Sequence, residues 1–116
     1  MPRLNRRYFR HGLFPQLIVF EAVARLGSVT RAAEELHLAQ PTVSTQIKKL
    51  STTLDVPLFE QHGRGLRLTS AGEALRGVCS ELFALCGKLE AELVKLRDRA
   101  PSATAARLLA RFSSLC

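Results

Sequence analysis

Two helix-forming stretches separated by a three-residue break constrain this chain more than any other feature. In the first, Val29, Ala32, Ala33 and Leu36 recur at helical spacing and give one apolar face. Ala32 and Ala33 are small, so another helix can approach closely. The break is His37-Leu38-Ala39, and Pro41 suits the first turn of the next helix, where its missing N–H costs nothing. Val43, Ile47, Leu50 and Leu54 then fall at spacings of four, three and four, the buried stripe of a helix over Gln40–Leu54. Its opposite face carries Gln40, Thr42, Ser44, Thr45, Lys48 and Lys49, with no carboxylate among them. An ordinary solvated face looks much like this. The same chemistry also suits a helix that lies in a DNA major groove with its N-terminal residues at base edges.

The flanking segments build a layer around this pair. Leu13, Leu17, Phe20 and Ala24, with Val23 widening the stripe, predict a helix over Leu13–Leu26. Pro15 sits in its first turn, Gly27 ends it, and Ser28 is placed to cap the helix that follows. After the break at Asp55-Val56-Pro57, Leu58–Gln61 and Leu66–Leu68 are short strand candidates around His62-Gly63-Arg64-Gly65. The two glycines signal a tight turn with positive φ, which puts Arg64 at the tip of a hairpin. A hairpin this small needs a helical layer beneath it, and Phe59, Leu66 and Leu68 can supply the inner face.

Thr69 or Ser70 caps a last long helix, and Ser70-Ala71-Gly72-Glu73 fits a capping box. The helix runs to about Arg99, before Pro101. Leu75, Val78, Leu82, Leu85, Leu89 and Leu96 keep a heptad spacing, with Glu92 at the one polar position of the seam. Through Leu82 this stripe can pack on its own domain. From Leu85 onward little is left in the chain to cover it, so a partner helix is implied, most simply the same helix of a second copy. Ala105, Leu108, Leu109 and Phe112 fit one or two further amphipathic turns, and residues 100–116 otherwise carry no assignment.

Charge narrows the partners. The 116 residues carry a net charge of +7 and a pI of about 10.2, which favours a polyanion without choosing among DNA, RNA and a membrane surface. Four arginines, Arg3, Arg6, Arg7 and Arg10, stand in residues 1–12 without an acid. That segment reads as a basic disordered arm that either adds phosphate or minor-groove contacts or serves only as a solubilising tail. No apolar run approaches the ~18–20 residues of a membrane span, and the Arg-rich start lacks the apolar stretch of a secretory signal. The three cysteines form no disulfide framework, so the cytoplasm is the expected compartment. Cys79 and Cys86 lie ~10 Å apart along one helix, too far for a bond within it. His11, His37 and His62 lie in different segments, none at metal-ligand spacing with Cys, Asp or Glu. No phosphate loop or nucleophile elbow is present. Neither a cofactor, a metal nor an enzymatic reaction is expected.

Several blocks in the right order resemble the N-terminal winged helix-turn-helix of LysR-type transcriptional regulators. They run from Leu17 to Ser28 (Leu-Ile-Val-Phe-Glu-Ala-Val-Ala-Arg-Leu-Gly-Ser) and from Thr30 to Leu38 (Thr-Arg-Ala-Ala-Glu-Glu-Leu-His-Leu). Gln40-Pro41, Val43-Ser44, Gln46-Ile-Lys-Lys-Leu50, Pro57-Leu-Phe-Glu60 and Leu68-Thr-Ser-Ala-Gly72 follow. The resemblance covers residues 13–75 and extends more loosely through Leu96 as the family's dimerising linker helix. From Phe20 to Thr69 it looks most like the branch regulating carbon-fixation (RuBisCO) operons. It implies a mainly α fold, with a winged helix-turn-helix over 13–69 and a linker helix over 70–99. It further implies a DNA-binding set of Arg31, Gln40, Pro41, Thr42, Ser44, Thr45, Lys48, Lys49 and Arg64. In that set Gln40 and Pro41 touch base edges, Thr42 and Thr45 face bases, Ser44 and Lys48 meet the groove wall or phosphates, and Arg64 enters the minor groove.

The chain departs from the family pattern at three points. Ala39 stands where Ser or Thr usually caps the recognition helix, a loss of ~1 kcal/mol. Thr45 stands where many members carry Arg, so one strong base contact is missing. Family members also continue into a two-lobed effector-binding domain, whose first strand Asp98–Cys116 does not resemble. A truncated or frameshifted product, a natural short form and a chain with an unrelated tail all fit that difference. The expected function is a dimeric regulator that binds double-stranded DNA at an AT-rich inverted repeat. The alternative is an interaction module that heterodimerises with a full-length relative through its linker helix.

Overall fold

The computed structural model describes residues 12–99 and 107–111. The basic arm before Gly12, the stop at Pro101 and the expected apolar positions Ala105 and Phe112 lie outside the described residues. Element order is α1 (Leu13–Leu26), α2 (Val29–Leu36), α3 (Gln40–Leu54), β1 (Phe59–His62), β2 (Gly65–Leu68) and α4 (Ser70–Arg99). The chain divides into two compact units, Met1–Cys79 and Ser80–Cys116, with the boundary inside α4.

Each helix of the first unit ends for a local reason. Gly27 closes α1 in the left-handed region at φ 65°, and its N–H donates to the Val23 carbonyl at 2.8 Å. Ser28 caps α2 as expected, its Oγ accepting the Arg31 N–H at 3.1 Å. His37 and Asp55 close α2 and α3 in the same left-handed conformation, at φ 56° and 57°. In both, the following N–H reaches back five residues: Leu38 to the Ala33 carbonyl at 2.9 Å, and Val56 to the Ser51 carbonyl at 3.1 Å. At the start of α3, Ala39 provides no side-chain cap.

The core lies where the first three helices meet. Val19, Ala22, Val23, Ala32, Ala33 and Val43 are its buried centre, flanked by half-buried Leu26, Val29, Leu36, Ile47, Phe59 and Leu66. The small residues of α2 are fully or almost fully buried, which is what close helix approach requires. The buried set of α1 is wider than one stripe. It comprises Gln16, Leu17, Val19, Phe20, Ala22 and Val23, while Leu13 and Ala24 are only half-buried. The reason is that α1 is covered on more than one side, by α2, by α3 and by the hairpin, where the Phe59 ring lies 5.4 Å from that of Phe20.

The hairpin pairs Phe59 with Leu68, Glu60 with Arg67, Gln61 with Leu66 and His62 with Gly65. Phe59, Leu66 and Leu68 therefore share a face, and all three are half-buried. The strands run one residue further toward the turn than the hydrophobic pattern indicates, because His62 and Gly65 still pair. Thr69 joins hairpin to helix. Its hydroxyl donates to the Pro57 carbonyl at 2.7 Å and accepts the Gly72 N–H at 3.0 Å. Thr69 is thus the cap of α4, and Ser70 is its first helical residue. This layout of three helices, a two-stranded wing and a long final helix is a winged helix-turn-helix fold.

Candidate nucleic-acid interface

The site is built on α3. Helical periodicity turns Val43 and Leu50 fully inward, and this leaves Gln40, Pro41, Thr42, Thr45, Lys48 and Lys49 exposed, with Ser44 half-buried at the edge. Pro41, Thr42, Thr45 and Lys49, together with Gln46, line a shallow depression along this face. Gln46 is absent from the set expected from sequence. Its signal was spacing, since Thr42, Thr45, Gln46 and Lys49 stand at i, i+3, i+4 and i+7. The positive end of the α3 dipole opens onto this surface without a side-chain cap.

Arg64 sits at the tip of the wing. The turn between the strands holds Gly63 and Arg64, and only Gly63 has positive φ, at 60°. Positive φ at the first of two central positions is the signature of a II′ hairpin turn, which glycine alone adopts without strain. The second glycine of the motif, Gly65, is already in the strand. Arg64 is exposed, and so is Arg31 on α2.

Ion pairing sorts the six cations of residues 13–69. Arg25 binds Glu21 at 2.9 Å on its own helix and Glu35 on α2, a link that ties α1 to α2. Arg67 binds its cross-strand neighbour Glu60 at 2.8 Å. Arg25 holds the Glu35 carboxyl below the usual carboxylate range by hydrogen bonding, and its own pKa is raised by the same contacts. The remaining four cations are Arg31, Lys48, Lys49 and Arg64, and none of them has a carboxylate partner among the described residues. These four are the cations that the family resemblance assigns to DNA.

The predicted seam of α4 divides by unit. Within the first unit Gly72 and Cys79 are buried and Leu75 is half-buried, but Val78 is 57% exposed. Cys79, one residue on, takes the inward place assigned to Val78, and burial pushes its thiol pKa up. Within the second unit Leu82 is half-buried, while Leu85, Leu89 and Leu96 are exposed, as are Leu93 and Val94. Leu93 continues the exposed stripe beside Glu92, because a straight helix drifts by ~20° per heptad from a seven-residue repeat. Among the described residues no three metal-ligating side chains cluster, and no helix is long and apolar enough to cross a membrane.

Comparison with known proteins gives consistent relatives. Residues 14–73 match the family described as bacterial regulatory helix-turn-helix protein, lysR family. The HTH-type transcriptional activator CmpR of Synechocystis sp. is 45% identical over 82 residues, which are 71% of this chain and 27% of that protein. A RuBisCO operon transcriptional regulator of Acidithiobacillus ferrooxidans is 48% identical over 74 residues, 64% of this chain and 24% of its own length. The chain thus spans about a quarter of the length of these relatives, which are named as regulators of transcription and not as enzymes. Among solved structures, that of the CbnR_DBD–DNA complex superposes with a TM-score of 0.66 at 35% identity, covering 72% of this chain and 95% of that one.

Proposed function

The chain belongs to the lysR family of bacterial regulatory helix-turn-helix proteins, and we propose that it is a sequence-specific DNA-binding transcriptional regulator. The observation that carries this reading is the exposed, acid-free face of α3, flanked by the exposed cations Arg31 and Arg64. Gln40 and Pro41 meet base edges at the start of α3, since the N-terminal residues of a recognition helix reach deepest into the major groove. Gln pairs bidentately with adenine, and Thr42 and Thr45 offer a methyl and a hydroxyl to the neighbouring bases. Ser44, Lys48, Lys49 and Arg31 hold phosphates and set the register. Arg64 enters the minor groove, where a narrow AT-rich stretch concentrates negative potential.

Two copies joined through the second half of α4 read an inverted repeat. The exposed leucines Leu85, Leu89 and Leu96 support this pairing, and Leu75, Val78 and Leu82 complete the proposed seam. Half-site centres then fall about one helical turn, or a multiple, apart. The working compartment on this reading is the cytoplasm. Selection of genomic fragments by the purified chain at moderate and raised salt is the test. Specific binding keeps a sequence-dependent part once phosphate attraction is screened, so an AT-rich inverted repeat should be recovered at both salts. A folded chain that recovers no common sequence would refute the reading and favour an interaction module that pairs with a full-length relative.

A further inference from the structure

Thr42 and Gln46 stand one turn apart on α3 and form a ridge between two depressions. On one side lies the shallow depression of the DNA-facing surface, with Pro41, Thr45 and Lys49. On the other lies an apolar cleft walled by Pro15, Ile18, Val19, Leu36 and Leu38. Gln46 is half-buried, yet its carboxamide has no hydrogen-bond partner among the described residues. Its polar atoms are not shut away from solvent either, so both donors and the acceptor stand open. We propose that Gln46 is a second specificity-determining residue of α3, reading an adenine in each half-site through its N6 and N7 edge.

The inference rests on the DNA-binding reading of α3 and adds a base contact to it. Gln46 lies in the second turn of α3, where a short side chain falls away from the groove floor. Glutamine carries its polar atoms further out than threonine does. Thr45 beside it is short, so the depression into which the amide extends stays open on that side. The apolar wall beside the aliphatic stem restricts its rotamers, which lowers the entropy cost of ordering the amide against a base. A carboxamide presents a donor and an acceptor side by side, the pattern that matches adenine, whereas a phosphate offers acceptors only. The α3 cations Lys48 and Lys49 suit phosphate better. Gln40 and Gln46 are separated by ~9 Å of helix rise. That is roughly two to three base steps of ~3.4 Å, so the two glutamines read different base pairs.

The test is base-by-base substitution of the sequence selected by the native chain, scored by competition binding at fixed salt. Gln46→Ala should lose about 5- to 150-fold of discrimination for adenine at one position of each half-site. That position should lie roughly two to three steps from the one relaxed by Gln40→Ala, with helical circular dichroism unchanged. Gln46→Glu should move the preference there from adenine to cytosine, whose N4 amine donates to a carboxylate. A residue that only supported the helix would not re-specify a base. An unaltered profile in both variants, or equal loss at every sequence, would overturn the proposal and leave the DNA-binding reading standing. A native chain that selects no common sequence would overturn both.

Discussion

Gly72 packs directly on the backbone of Leu58. A Cβ built on Gly72 falls well inside van der Waals contact with the Leu58 carbonyl oxygen and lies 2.8 Å from Leu68 Cδ2. The first turn of α4 is thereby seated against the start of the wing, where Thr69 also bridges to Pro57. A backbone oxygen cannot rotate away as a side chain can. Gly72→Ala is therefore expected to destabilise the domain by about 2–3 kcal/mol in urea unfolding. Gly77, on the same helix, has open space within 4 Å of where a Cβ would stand. Gly77→Ala should instead stabilise by about 0.5–1 kcal/mol through helix propensity. Equal effects from the two substitutions would disprove the contact's role.

His37 holds the break between α2 and α3 at φ 56°, where an L side chain is strained. Glycine removes the Cβ clash and adds unfolded-state entropy, two opposed effects. The net expectation for His37→Gly is stabilisation of about 0.5–1 kcal/mol, read as a raised urea midpoint with unchanged slope. A lowered midpoint would mean that the imidazole makes a compensating contact.

The Arg25–Glu35 pair should show itself in the acid limb of stability. Glu35 has a folded pKa below its unfolded one, so its contribution is full above the ordinary glutamate pKa of about 4.3 and is lost as pH falls through the folded value. Glu35→Gln should lower Tm at neutral pH, and the gap should close in strong acid and shrink in high salt. A gap that persists in acid would assign the effect to packing and not to charge.

Base-reading and phosphate-holding roles separate by how mutants respond to sequence. Gln40→Ala should relax discrimination at one position of each half-site, at a cost of about 1–3 kcal/mol for the preferred base. Lys48→Ala should weaken all sequences alike and reduce the salt slope by about 1. Arg64→Ala should lose preference for AT-rich flanks while leaving the central half-site intact. Uniform loss at every sequence for Gln40→Ala would overturn its assignment.

The sequence by itself determined the elements and singled out α3 as the helix proposed to face DNA. Periodicity, caps and turn residues act within a few positions, so α1, α2, α3 and the capping by Ser28 were legible without any tertiary contact. The acid-free face of α3 was legible for the same reason. Tertiary structure alone decided three things. It placed Gln16 in the core, because α1 is covered from several sides, and a single stripe does not describe that. It turned Cys79 inward and left Val78 outward, because the seat of Gly72 on Leu58 fixes the rotation of α4. It also chose which cations remain available. Arg25 is neutralised by Glu35, ten residues away on another helix, and Arg67 by Glu60 across the hairpin register. Charge pairing of that kind depends on distances between elements, which a local pattern does not encode.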